Sequence, residues 1–132
     1  MIKIKNSQLT NEAISALNQL IEMDIKAGVA FKLMRIIKEI SSLVEDKLSM
    51  EKKILEKWVE KDFSGKPIPV YDEKNQLVEG AVKIKDMKLF TDEMENLLKA
   101  ESTINFEPIN FDDLGLETIK IKDLLKIDFI FS

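Results

Sequence analysis

The order of apolar and polar positions reads as helix over most of the chain. Ile2–Lys5 alternates apolar with charged residues and predicts a short strand. A polar break follows at Asn6–Asn11, where Thr10 or Asn11 offers a side-chain oxygen to an otherwise unpaired helix N–H. Ala13, Leu17, Leu20 and Ile21, flanked by Ile14 and Ile25, then fall on one face of a helix reaching about Lys26. Gly28, the only glycine before residue 65, predicts the turn into a second helix, from about Val29 to Lys61. That helix carries a stripe of Leu33, Ile37, Ile40, Val44, Leu48, Leu55 and Trp58, interrupted once at Glu51 and free of proline.

Phe63-Ser64-Gly65-Lys66-Pro67 ends the second helix. Ile68–Tyr71 and Leu77–Ile84 read as two strands around a turn at Asp72–Asn75. Asp86 caps a third helix, Met87 to Glu101, with Phe90, Met94, Leu97 and Leu98 on its face. Beyond Ser102 the spacing loosens. Ile104, Phe106, Ile109 and Phe111 form an extended or edge segment interrupted by Pro108, residues 114–121 are irregular, and Leu124–Ile127 forms one helical turn. The terminal Phe129-Ile130-Phe131 is expected to dock on the protein's own core, in preference to a partner. The expected fold is therefore mainly α with small β elements (α+β), as one domain over residues 1–132. It comprises a long antiparallel helical hairpin, a third helix, a short β hairpin and an extended C-terminal segment.

The second helix is long for such a domain. Its 33 residues at ~1.5 Å each reach about 50 Å, against ~30 Å for a compact domain. It either bends near Ser41–Ser42 or buries its far end on another copy. The second possibility predicts a homo-oligomer with Leu48, Leu55 and Trp58 at the interface.

Composition narrows the chemistry. The 132 residues are 45% hydrophobic and 33% charged, suited to a globular domain with its own core. Cysteine and histidine are both absent, which removes disulfides, Cys/His zinc sites and the usual Cys- and His-based catalytic groups. The N-terminal segment lacks the apolar stretch of a signal peptide, and no run is long enough to span a bilayer. These features predict an intracellular protein with no membrane partner. A net charge of −4 argues against direct nucleic-acid binding. Of 20 basic residues only Arg35 is an arginine, and with 17 isoleucines this points to an A/T-rich coding sequence.

The acidic groups Asp72/Glu73, Asp92/Glu93 and Asp112/Asp113 with Glu117 fit no calcium loop, and read as solvated or capping residues. Glycines isolated at 28, 65, 80 and 115 exclude Gly-rich phosphate loops. One candidate ligand site remains. Lys32, Arg35 and Lys38 recur at steps of three near the start of the second helix, and a guanidinium can fork onto a phosphate as lysine cannot. Glu39, four residues after Arg35, supports the alternative of a solvated surface pair. Tyr71 joins the ligand-binding candidates as a stacking aromatic; core packing is the competing role for Trp58. No catalytic residue, metal site or cofactor is expected.

The residue order also resembles an uncharacterised family of small phage and prophage proteins from low-GC Gram-positive bacteria. The matching features begin with Gly28-x-Ala30-Phe31-Lys32-Leu33-Met34-Arg35-Ile36-Ile37, opening a long charged helix. Glu60-Lys61-Asp62 with Gly65, Tyr71-Asp72-Glu73 and Val82-Lys83-Ile84-Lys85-Asp86 follow. The helix Phe90-x-x-Glu93-Met94-x-x-Leu97-Leu98 comes next, and a tail of Pro108-Ile109 and Ile119-x-Ile121-x-Asp123-Leu124-Leu125 closes the match. The resemblance implies a phage accessory protein in the cytoplasm of an infected bacterial host, acting by binding rather than as an enzyme. Counter-defence, by sequestering a host immune protein or nucleotide signal, is the expected role. A minor virion, assembly or chaperone protein is the alternative.

Overall fold

A computed structural model of the chain describes residues 1–116 and 119–131. The fold is mainly α with small β elements. In chain order it contains β1 (Ile2–Lys5), α1 (Asn11–Glu22), α2 (Ala27–Trp58), β2 (Pro69–Tyr71), β3 (Leu77–Val82), α3 (Met87–Lys99), β4 (Glu101–Ile104) and α4 (Ile121–Ile127). No helix among the described residues is long and apolar enough to cross a membrane. The chain forms two compact units, one of Met1–Lys47 with Leu98–Ser132 and one of Leu48–Leu97.

The first unit holds the main core. Ile2 and Ile4 of β1, Ala13, Ala16, Leu17 and Leu20 of α1, and Leu33, Ile36 and Ile40 of α2 are buried together. Ile104, Ile109, Leu114, Ile127 and Ile130 complete the cluster from the far end of the sequence. β1 and β4 pair antiparallel, with Ile2 opposite Ile104 and Lys5 opposite Glu101. This pairing sends the alternate apolar residues of β1 inward and its lysines to solvent. α1 starts on a Thr10 cap, whose Oγ1 accepts from the Ala13 N–H at 3.1 Å.

The break between the long helices lies at residues 23–26 rather than at Gly28, which sits in the first turn of α2. Met23 leaves α1 in an extended conformation, so no left-handed glycine is needed. Continuing α1 would place Ile25 about 140° around the helix from Leu20, away from the core. Breaking at Met23 lets Ile25 pack against that core. A Cβ added at Gly28 meets nothing within 4 Å. Gly28→Ala should therefore raise the unfolding free energy by about 0.5–1 kcal/mol in urea denaturation, whereas a loss would show that the position needs glycine.

The C-terminal tail docks on its own unit. The Ile109 N–H donates to the Ile130 carbonyl at 2.8 Å. Phe111 and Phe131 meet edge to face with ring centroids 5.6 Å apart. Ile130 is fully buried.

The second unit is built differently. α2 stops at Trp58, short of the predicted Lys61, because the next backbone groups bond elsewhere. The Lys85 N–H donates to the Trp58 carbonyl and the Glu60 N–H to the Lys83 carbonyl. The Glu60 carbonyl in turn accepts from Ile68, and the Ile68 carbonyl from Lys83. Residues 59–61, 66–71 and 77–84 thus close a small three-way junction, of which β2 and β3 are the regular part. Buried apolar side chains here are Ile54 and Val59 among the described residues. α3 has its predicted Asp86 cap, which accepts from the Leu89 N–H at 3.1 Å, and ends at Lys99 where β4 takes over. Its face of Phe90, Met94, Leu97 and Leu98 is half-buried.

Candidate functional site

The cationic residues predicted on the second helix, Lys32, Arg35 and Lys38, lie in the first unit. Lys32 is half-buried; Arg35 and Lys38 are exposed. Arg35 is more constrained than a free surface side chain. Its Cζ sits 5.2 Å from the centroid of the Phe106 ring. A cation over an aromatic ring is attracted by the negative face of the ring. Arg35 and Glu39 form no ion pair with each other among the described residues. Phe106 is the residue that sequence reasoning missed here. Its signal was its place in the loose alternation after Ser102, but no local pattern ties it to Arg35, 71 positions earlier.

Tyr71 and the predicted interface residues belong to the second unit. Tyr71 is exposed, directly opposite Leu77 in the β2–β3 register. Leu48 and Leu55 of α2 are also exposed, at 55% and 40%. Trp58 is half-buried. Its stripe therefore divides: Leu33 and Ile40 are core, Leu48 and Leu55 face outward, and Ile54, one position off the stripe, is buried instead.

Around Trp58 the structure assembles a small polar cluster absent from the sequence reading. The Lys57 ammonium pairs with Glu93 of α3 at 2.6 Å and lies 5.1 Å from the centroid of the Trp58 ring. The Lys57 hydrogen bond holds the Glu93 carboxyl below the usual carboxylate range, with a smaller push in the same direction from the nearby Trp58 indole. The indole Nε1 is buried and does not meet hydrogen-bond geometry with any group among the described residues. A depressed carboxylate stabilises the fold above its unfolded pKa, and that contribution is lost as pH falls through the folded value. Lys57→Met should thus raise the Glu93 titration midpoint, followed by carboxyl carbon NMR; an unmoved midpoint would rule out the pair in solution.

The other perturbed carboxylate is Asp62, at the turn after α2. Its Oδ1 accepts from the Ser64 hydroxyl at 2.7 Å, the Ser64 N–H at 2.9 Å and the Lys66 N–H at 3.0 Å. These bonds, the Ser64 hydroxyl first, lower its pKa. The turn closes with the Gly65 N–H on the Asp62 carbonyl, and Gly65 adopts φ +81°. Phe63 stands at the tip of this turn with a relative exposure of 114%. In the sequence, Phe63 is legible only as part of the Phe63–Pro67 helix stop.

Of the acidic groups, Asp72 organises its own turn, accepting from the Lys74 and Gln76 N–H groups at 2.9 Å each. Glu117 lies outside the described residues. No group of three or more Asp or Glu residues placed to hold a metal occurs among the described residues. The chain matches no protein-family model, no curated protein and no solved structure.

Proposed function

We propose that this chain is a phage accessory protein that acts by binding, self-associates through its second unit, and serves in counter-defence by sequestering a host immune protein or nucleotide signal. The observation that carries the binding reading is the distribution of exposed apolar side chains. Of fifteen exposed large hydrophobic residues among those described, nine lie in the fifty residues of Leu48–Leu97. Single exposed hydrophobics need no explanation, but such a concentration beside a thin core supports the reading that this unit binds a partner. The phage origin rests on the resemblance in residue order described above.

Arg35 supports the nucleotide branch. Its position over Phe106 restrains the guanidinium, whose forked donors suit a phosphate, with Lys32 and Lys38 on the same helix. The test is calorimetry with cyclic dinucleotides. Binding should weaken by roughly 1–2 kcal/mol in Arg35→Lys, which keeps the charge but loses the fork. No heat with either protein removes the nucleotide reading and leaves sequestration of a host protein. Recovery of the protein at fixed stoichiometry in purified virions would overturn counter-defence in favour of a minor virion or assembly role.

A further inference from the structure

We infer that α3 opens from the end of α2 as a local unit while the rest of the chain stays folded, and that Glu93, held by Lys57 beside the Trp58 ring, is the tie that keeps it closed. The inference goes beyond the binding reading and concerns how the second unit changes its exposed surface.

α3 is long enough to contribute to a core and buries nothing fully. None of its thirteen residues is fully buried. α1, at twelve residues, buries Ala13, Ala16, Leu17 and Leu20. Within the second unit, Phe90, Met94 and Leu97 of α3 are half-buried, and Met87 and Leu89 are exposed. Elements with little buried apolar area open at a free energy below that of global unfolding.

Polar contacts add little against opening. The Lys57 ammonium donates to Glu93 at 2.6 Å, but the two side chains are 60% and 33% exposed, so water competes for the bond. The Trp58 indole N–H is buried in the closed state without a partner among the described residues. A buried unpaired donor is a cost that opening relieves by admitting water.

Backbone bonds set the limits of the opening part. Before α3, the Lys85 N–H donates to the Trp58 carbonyl at 2.7 Å and the Glu60 N–H to the Lys83 carbonyl at 2.8 Å. These bonds hold the chain as far as Lys85. The next residue, Asp86, caps α3 through its own side chain, so the helix keeps its cap when it leaves α2. After α3, the Asn6 N–H donates to the Ala100 carbonyl at 2.9 Å, and β4 begins at Glu101. A helix of thirteen residues without packing is marginal in water, so an opened α3 frays and its amides exchange. Opening bares Phe90, Met94 and the Trp58 ring, and so enlarges the apolar surface of the unit.

Native-state hydrogen exchange followed by NMR tests this. In the unaltered protein, the amides of Met94–Leu97 should exchange at least about tenfold faster than those of Ala16–Leu20 and those of Glu60, Lys83 and Lys85, after correction for intrinsic rates. Glu93→Gln removes the charge and keeps the shape. It should speed the α3 amides a further three- to fivefold, roughly, and leave those of α1 unchanged. Lys57→Met should give the same rise from the other side of the pair. About 1 M NaCl should also speed α3 exchange in the unaltered protein but not in Glu93→Gln, because only a charged tie is screened. Amides of α3 as well protected as those of α1 overturn the opening. One common rate for α3, Glu60, Lys83 and Lys85 shows the whole unit unfolding together, which also overturns it. Fast α3 exchange that neither substitution alters overturns Glu93 as the tie.

Discussion

Replacing Ile130 with alanine is expected to lower the unfolding free energy by about 3 kcal/mol, within the range for deleting a fully buried isoleucine side chain beyond its Cβ. Ile130 belongs to the same buried cluster as Ile4, Leu17 and Ile36, and its carbonyl accepts from Ile109. Removing its outer carbons leaves a cavity lined by side chains from both ends of the sequence, which cannot all shift to fill it. The loss should appear as a lower urea midpoint with an unchanged slope. A loss below about 1 kcal/mol would mean that the tail is not docked in solution.

The second large effect concerns Leu48 and Leu55. Both are exposed on α2, so changing them to aspartate removes little from the fold of a single chain. At a seam between copies the outcome differs. Full burial of a leucine contributes about 2 kcal/mol, and side chains already half-covered would gain about half of that on association. Aspartate also brings an unpaired charge into the seam, a penalty of several kcal/mol. Leu48→Asp/Leu55→Asp should therefore shift self-association by several orders of magnitude while the helical circular dichroism signal is kept. Light scattering that shows a monomer for the unaltered protein at high concentration would end the self-association reading. Dissociation accompanied by loss of helix would instead place these leucines within the protein's own packing.

Local chemistry was legible wherever it was self-contained. The Thr10 cap, the Asp86 cap and the Asp72 turn each need only a side-chain oxygen and an N–H a few residues away, and each is present. The long α2 was legible for the same reason, since its bonds and its stripe repeat within one turn. The candidate site was less so. Arg35 was marked by being the one arginine, but its contact with Phe106 joins segments with no common periodicity. The Lys57–Trp58–Glu93 cluster was hidden because it depends on where α3 lies against the end of α2 within the second unit.

By itself the sequence determined which segments are helical, where side chains cap them, that the chain is acidic and that it carries no cysteine or histidine chemistry. Those properties follow from spacing and residue type, which act over a few positions. The tertiary structure alone decided the pairing of β1 with β4, the break at Met23 in place of Gly28 and the end of α2 at Trp58. In each case the deciding partner is remote or the deciding force is burial in a shared core. The same holds for the outward placement of Leu48, Leu55 and Phe63. Apolar spacing says that a residue would gain from leaving water, but only the assembled chain shows which of them found no cover within it.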